Sequence, residues 1–124
     1  MILVDTSIWI DHLRSNEQAL ADALERGIVL THPFVVGELA CGNLKNRSEV
    51  LSLLRRLPGA PVATDAEALA FIEARSLMGR GIGYVDVHLL ASAVLAGDGC
   101  RLWTRDARLA AAAADMGLDL RESE

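Results

Sequence analysis

The chain alternates short apolar runs with longer segments whose apolar residues recur at helical spacing. Short apolar runs indicate buried strands, whereas spacings of about three and four residues indicate helices with one buried face. Five runs are predicted to be strands: Ile2–Asp5, Ile28–Leu30, Pro61–Thr64, Arg101–Thr104 and Leu118–Arg121. Because strands and helices alternate, the pattern predicts an α/β fold with a mostly parallel sheet and helices on both faces.

Helical segments fill the intervals between these strands. They are predicted at Ser7–Glu25, Pro33–Gly42, Ser48–Leu57, Asp65–Gly79, 84–97 and Leu109–Ala114. Pro33 supports the second of them, because proline suits the first turn of a helix. No linker, repeat or low-complexity segment interrupts the pattern, so residues 1–124 are predicted to form a single domain.

The composition narrows the class of protein. A hydrophobic content of 52% supports a substantial core. The apolar start is too short for a signal peptide and no stretch has the length of a membrane span, so a cytoplasmic protein is expected. The only cysteines, Cys41 and Cys100, lack a paired metal-binding spacing and are expected to be small buried residues.

Four acids adjoin apolar residues, where a carboxylate is costly to desolvate unless it is paired or bound. They are Asp5 in "ILVDTS", Glu38 in "THPFVVGELACG", Asp86 in "GYVDVHLLASA" and Asp106 in "LWTRDARL". Each has an ordinary explanation, since the three aspartates can cap helices and Glu38 can be solvated. Thr6 or Ser7 could replace Asp5 as a cap, and His88 is expected to be a hydrogen-bonded packing residue.

The alternative is one acidic site. Asp5 ends the first predicted strand and Asp106 follows the fourth, and ligands of open α/β sheets bind beyond the carboxyl ends of strands. If those strands are neighbours, both acids share a crevice. Carboxylates ~5 Å apart repel by roughly 3 kcal/mol per pair at an effective dielectric of 20, so a cluster requires a cation. Hard oxygen ligands select Mg²⁺ or Mn²⁺, which suits phosphodiester hydrolysis.

The four motifs, in this order, resemble PIN-domain ribonucleases, and more narrowly the VapC toxins of bacterial VapBC toxin–antitoxin pairs. The resemblance spans the chain and implies a three-layer PIN-like sandwich whose five-stranded sheet has the order 3-2-1-4-5. It also implies Mg²⁺-dependent endonucleolytic cleavage of RNA, with Mn²⁺ as a substitute. The implied catalytic and metal-binding residues are Asp5, Glu38, Asp86 and Asp106, supported by the hydroxyls of Thr6, Ser7 and Thr104.

The resemblance further implies a homodimer and a cognate VapB-like antitoxin that inserts an Arg or Lys into the acidic crevice. RNA binding conflicts with a net charge of −5, from 12 basic and 17 acidic residues. A local patch would be needed, and eleven of the basic residues are arginines, which suit phosphate. The candidates for that patch are Arg14, Arg47, Arg80, Arg105 and Arg108.

Three other classes fit parts of the pattern. A receiver domain requires a lysine near the last strand, but the only lysine is Lys45. A haloacid-dehalogenase-like phosphatase requires a second aspartate two residues after Asp5, where Ser7 stands. A non-catalytic PIN-type binding module usually lacks some of the four acids, and all four are present here.

Overall fold

The computed structural model describes residues 1–120, and the predicted strand end at Arg121 lies outside them. The described elements are β1 (Ile2–Val4), α1 (Thr6–Ser15), α2 (Gln18–Glu25), β2 (Val29–Leu30), α3 (Pro33–Cys41), α4 (Arg47–Arg56), α5 (Asp65–Ala74), α6 (Tyr84–Ala96), β3 (Arg101–Trp103) and α7 (Ala107–Asp115). The strands are separated by helices as the sequence predicts, but four helices follow one another between β2 and β3, because the segment predicted at Pro61–Thr64 is not a strand.

The sheet is parallel and has the strand order β2-β1-β3. β1 is central, and Ile2 pairs with Val29 on one side and with Arg101 on the other. The backbone N–H of Asp5 donates to the carbonyl of Trp103 at 2.9 Å, just beyond the ends of both strands. The expected adjacency of the first and fourth predicted strands is therefore confirmed, and their carboxyl ends meet.

The predicted five-stranded sheet in the order 3-2-1-4-5 is wrong, because residues 1–120 contain a three-stranded sheet. The outer segments contribute only single parallel bridges, Thr31 with Gly59 and Leu102 with Asp119. In the segment predicted at Pro61–Thr64, proline has no N–H to donate to a strand ladder. Regular pairing is confined to the three inner strands.

Two helices end earlier than predicted, and each is followed by a residue with a left-handed backbone conformation. The segment expected as one helix from Ser7 to Glu25 is split, because Asn16 has a φ of 54° and ends α1. α5 ends at Ala74 and not at Gly79, and Ser76 follows with a φ of 53°. Pro33 begins α3 and Gly97 follows α6, as predicted.

The core lies around β1 and the middle of α6. Leu3, Ile8 and Leu89 are fully buried, together with the indoles of Trp9 and Trp103. Burial of α6 on most of its faces explains its nearly continuous apolar sequence.

The two cysteines are both free, but their environments differ. Cys100 is buried as predicted, whereas Cys41 is exposed at the end of α3, where the prediction was wrong. In the part of the chain that the structure describes, no helix is both long and apolar enough to cross a membrane.

Candidate active site

Asp5 is a buried carboxylate at the carboxyl end of β1, with an exposed fraction of 7%. Its Oδ1 accepts the backbone N–H of Thr6 at 2.8 Å and so caps α1. Its Oδ2 accepts two hydroxyls, from Ser7 at 3.1 Å and from Thr104 at 2.6 Å. Asp5 is therefore a helix cap and also the centre of a hydroxyl network that joins β1 to the segment after β3.

Thr104 connects two of the predicted site acids. Its Oγ1 donates to Asp5 and accepts the backbone N–H of Asp106 at 3.0 Å. Asp106 in turn caps α7, because its Oδ1 accepts the N–H groups of Arg108 and Leu109, both at 3.0 Å. One threonine hydroxyl thus joins the buried carboxylate of Asp5 to the backbone of Asp106.

Glu38 reaches the same region from α3. It is exposed, and its Oε1 accepts the hydroxyl of Thr6 at 2.7 Å. Since the backbone N–H of Thr6 donates to Asp5, this one residue bonds to both acids. Thr6 therefore contacts two of the predicted site acids, and its supporting role stays a prediction.

Asp86 is half-buried in the first turn of α6, where its Oδ2 accepts the N–H of Gly83 at 3.2 Å. Burial raises the pKa of this carboxyl, and the charges of Asp5, Asp106 and Glu38 raise it further. The bond from Gly83 acts in the opposite direction. Asp86 is thus within electrostatic reach of the three other predicted acids.

This donor set has the chemistry of a site for a hard divalent cation. Four carboxylates supply only oxygen ligands, and their mutual repulsion is the cost that a bound cation would relieve. As the side chains stand, no three His, Cys, Asp or Glu residues among 1–120 are grouped so as to hold a metal ion. The hydrogen bonds from Ser7 and Thr104 set the present position of Asp5, and the bond from Thr6 sets that of Glu38.

Arg105 has a structural role that sequence reasoning missed. Its backbone N–H donates to Ser7 at 3.2 Å, and its guanidinium bonds to Asp11 at 2.6 Å and Glu17 at 2.7 Å. The hydrogen bond from Arg105 is the main cause of a lowered pKa at Glu17. These contacts tie the segment after β3 to α1, and no local signal in the sequence pairs residues so far apart.

The predicted arginine patch is divided by such internal contacts. Besides Arg105, Arg80 pairs with Asp115 at 2.8 Å, and Arg47 donates to backbone carbonyls. Arg108 is exposed, and Arg14 lies near Glu38. Only part of the predicted patch is therefore available as a surface near the acids.

His88 is buried as expected, but it is not hydrogen-bonded as expected. Its ring packs edge-on against Phe34 at 4.8 Å and Tyr84 at 4.7 Å between centroids. Neither ring nitrogen has a hydrogen-bond partner among the described residues. Its neighbour His32 is also fully buried, and Nδ1 of His32 accepts the N–H of Phe34 at 3.0 Å.

Comparison with known proteins gives the family. The PIN domain family matches residues 2–115. The chain is also 50% identical over 122 residues to Ribonuclease VapC32 of Mycobacterium tuberculosis, strains CDC 1551 / Oshkosh and ATCC 25618 / H37Rv, and each match covers 98% of both chains. The chain belongs to the PIN domain family. This confirms the resemblance carried by the four motifs and is incompatible with a receiver domain or a haloacid-dehalogenase-like phosphatase.

Proposed function

We propose that this protein is a Mg²⁺-dependent endoribonuclease and the toxin of a type II VapBC toxin–antitoxin pair, acting in the cytoplasm. The observation that carries the proposal is the hydroxyl network at the carboxyl end of β1. Thr104 donates to Asp5 and accepts the N–H of Asp106. Thr6 donates to Glu38, which comes from a separate helix. The relatives named as ribonucleases support RNA as the substrate. These four acids are the proposed catalytic and metal-binding residues, and the hydroxyls of Thr6, Ser7 and Thr104 support them.

The reaction adds water across a phosphodiester: a bond forms between the water oxygen and phosphorus, and a phosphorus–oxygen bond to one ribose breaks. Mg²⁺, or Mn²⁺ in its place, activates the water and neutralises charge on the leaving oxygen when bound. The chain's own contribution is to position the carboxylates. Ser7 and Thr104 hold Asp5 at the carboxyl end of β1, and Thr6 draws Glu38 towards it.

The proposal is tested by incubating purified protein with RNA in Mg²⁺ and in excess EDTA. Asp86→Asn is the variant of choice, and Asp98→Asn is its matched control, because Asp98 is an exposed acid before the amino end of β3. We expect cleavage by wild type and by Asp98→Asn, and none by Asp86→Asn or in EDTA. Undiminished cleavage in EDTA would refute the metal dependence. Binding of RNA without cleavage would instead indicate a non-catalytic PIN-type module.

The proposed partners are a second copy of the chain and a VapB-like antitoxin. Val62, Leu69 and Met78 are more than half exposed, and a partner that covered these apolar side chains would gain from their burial. The antitoxin is expected to place an Arg or Lys beside the four acids, where it would offset their repulsion. Light scattering that shows only monomer would contradict the homodimer, and undiminished cleavage with purified antitoxin would contradict inhibition.

A further inference from the structure

A cavity of about 610 Å³ opens beside Glu38 between α1, α3 and the loop 42–46 that precedes α4. Its floor is apolar and includes Ile10, Leu13 and Leu39. Ile10 is 40% exposed and Leu13 is 39% exposed, so a ligand in the cavity can contact both side chains. The volume is within the range of about 300–1,000 Å³ that is usual for small-ligand sites.

The loop that forms one wall of this cavity is held in shape by Arg47. The guanidinium donates to the carbonyl of Ala40 at 2.6 Å and to that of Gly42 at 3.1 Å, at the end of α3. Asn46, the last residue of the loop, has a left-handed backbone with a φ of 52°. Arg47 thus ties the start of α4 to the end of α3 across the loop, which lowers the ordering cost of binding.

Cations line the rim of the cavity. Arg14 from α1 and Lys45 from the loop both contribute, and within residues 1–120 neither forms an ion pair. Glu38 lines the same cavity as these two cations. They suit an anion that lies beside the four acids.

We propose that this cavity binds one nucleotide of single-stranded RNA adjacent to the phosphodiester that is cut. Arg14 and Lys45 contact phosphate oxygens, and the apolar floor contacts the base. The inference deepens the proposed function and rests on it, because Glu38 lines the cavity and belongs to the proposed catalytic set. The cavity would then give the enzyme its selectivity for the nucleotide next to the cut.

RNA fits the lining better than a peptide segment does. The side-chain amides of Asn43 and Asn46 also line the cavity, and amides supply both donors and acceptors for the edges of a base. Sequence-specific RNA recognition mostly uses unstacked, single-stranded bases read in this way. An apolar peptide would leave both cations and both amides without partners, which is costly where they are desolvated.

The test measures binding of a fluorescein-labelled single-stranded RNA of mixed sequence and about 12 nucleotides, a length that single-strand binding grooves cover. Ca²⁺ replaces Mg²⁺, since it has the same charge and a looser coordination geometry. The variants are Arg14→Gln and Lys45→Gln. The matched control is Arg26→Gln, because Arg26 is an exposed cation at the end of α2, near the amino ends of the strands.

We expect each cavity variant to weaken the affinity about tenfold, as the loss of a charge-assisted hydrogen bond does. The slope of log affinity against log salt should become shallower by about 0.7 for each phosphate that is no longer neutralised by a cation. The control should bind as wild type does. If Arg14→Gln and Lys45→Gln bind RNA as tightly as Arg26→Gln, the inference is wrong, even if wild type cleaves RNA normally.

A second variant separates the cavity from general surface charge. Leu13→Trp keeps both cations and fills the cavity, and its fold is checked by thermal melting. It should lower RNA affinity at least as much as one charge removal does. Unchanged RNA affinity with lost antitoxin binding would overturn the inference in favour of a peptide occupant. If the protein cannot cut RNA but its RNA binding depends on these residues, the proposed role of the cavity is supported and the proposed activity is refuted.

Discussion

Thr104→Val removes one hydroxyl from the candidate site and keeps the shape of the side chain. In wild type that hydroxyl donates to Asp5 at 2.6 Å and accepts the N–H of Asp106 at 3.0 Å. Asp5 is only 7% exposed, so little water can replace the lost donor. A hydrogen bond to a charged group contributes about 1.5–3 kcal/mol, and we expect the free energy of unfolding to fall by that amount.

At this chain length 1 kcal/mol corresponds to about 4 °C in Tm, so the variant should melt roughly 6–12 °C below wild type. The assay is thermal denaturation in EDTA, with Thr104→Ser as the control that keeps the hydroxyl. Cleavage of RNA by Thr104→Val should also fall about 10–100-fold, the usual effect of losing a residue that orients a metal ligand. If Thr104→Val melts together with Thr104→Ser, the hydroxyl does not hold the buried charge and the reasoning fails.

Three further predictions concern charge. In EDTA at pH 7, Asp86→Asn should melt at a higher temperature than wild type, because the raised pKa of Asp86 means that its ionisation destabilises the fold. Below the ordinary pKa of 3.8 this difference in Tm should vanish. Burial, together with His88, lowers the pKa of His32 from 6.5 to about 4, so wild type should lose stability as the pH falls through that window. His32→Asn keeps an acceptor for the N–H of Phe34. Its free energy of unfolding in urea should depend less on pH than that of wild type, and an equal pH dependence of the two proteins would contradict this. Arg105→Gln breaks two partly exposed ion pairs, so urea unfolding should show only a small loss of stability; a loss as large as that of Thr104→Val would contradict this.

Much of the fold follows from local pattern. The buried strands β1 and β3 and the buried helix α6 were predicted because continuous apolar runs leave few alternatives. The errors lie where a single residue outweighs the pattern. Asn16 splits a long amphipathic segment through its left-handed backbone, and Pro61 stands in a segment expected to form a strand.

The helix-capping roles of the acids were also readable from the sequence. Asp5 and Asp106 each accept N–H groups one to three residues ahead, so their capping depends only on the local chain. The same positions could not be assigned to one site on that basis, because a cap and a site ligand look alike in a single sequence.

The surroundings of the acids depend on packing between distant segments. Thr104 reaches Asp5 across 99 residues of chain, and Thr6 reaches Glu38 across 32. These bonds require β1 beside β3 and α1 beside α3, an arrangement set by burial of the whole core. Local sequence therefore indicates where carboxylates end strands and begin helices, whereas packing decides which of them lie near one another. The reason is physical: backbone capping acts over one helical turn, but repulsion between carboxylates depends on distances that only the assembled sheet and helices define.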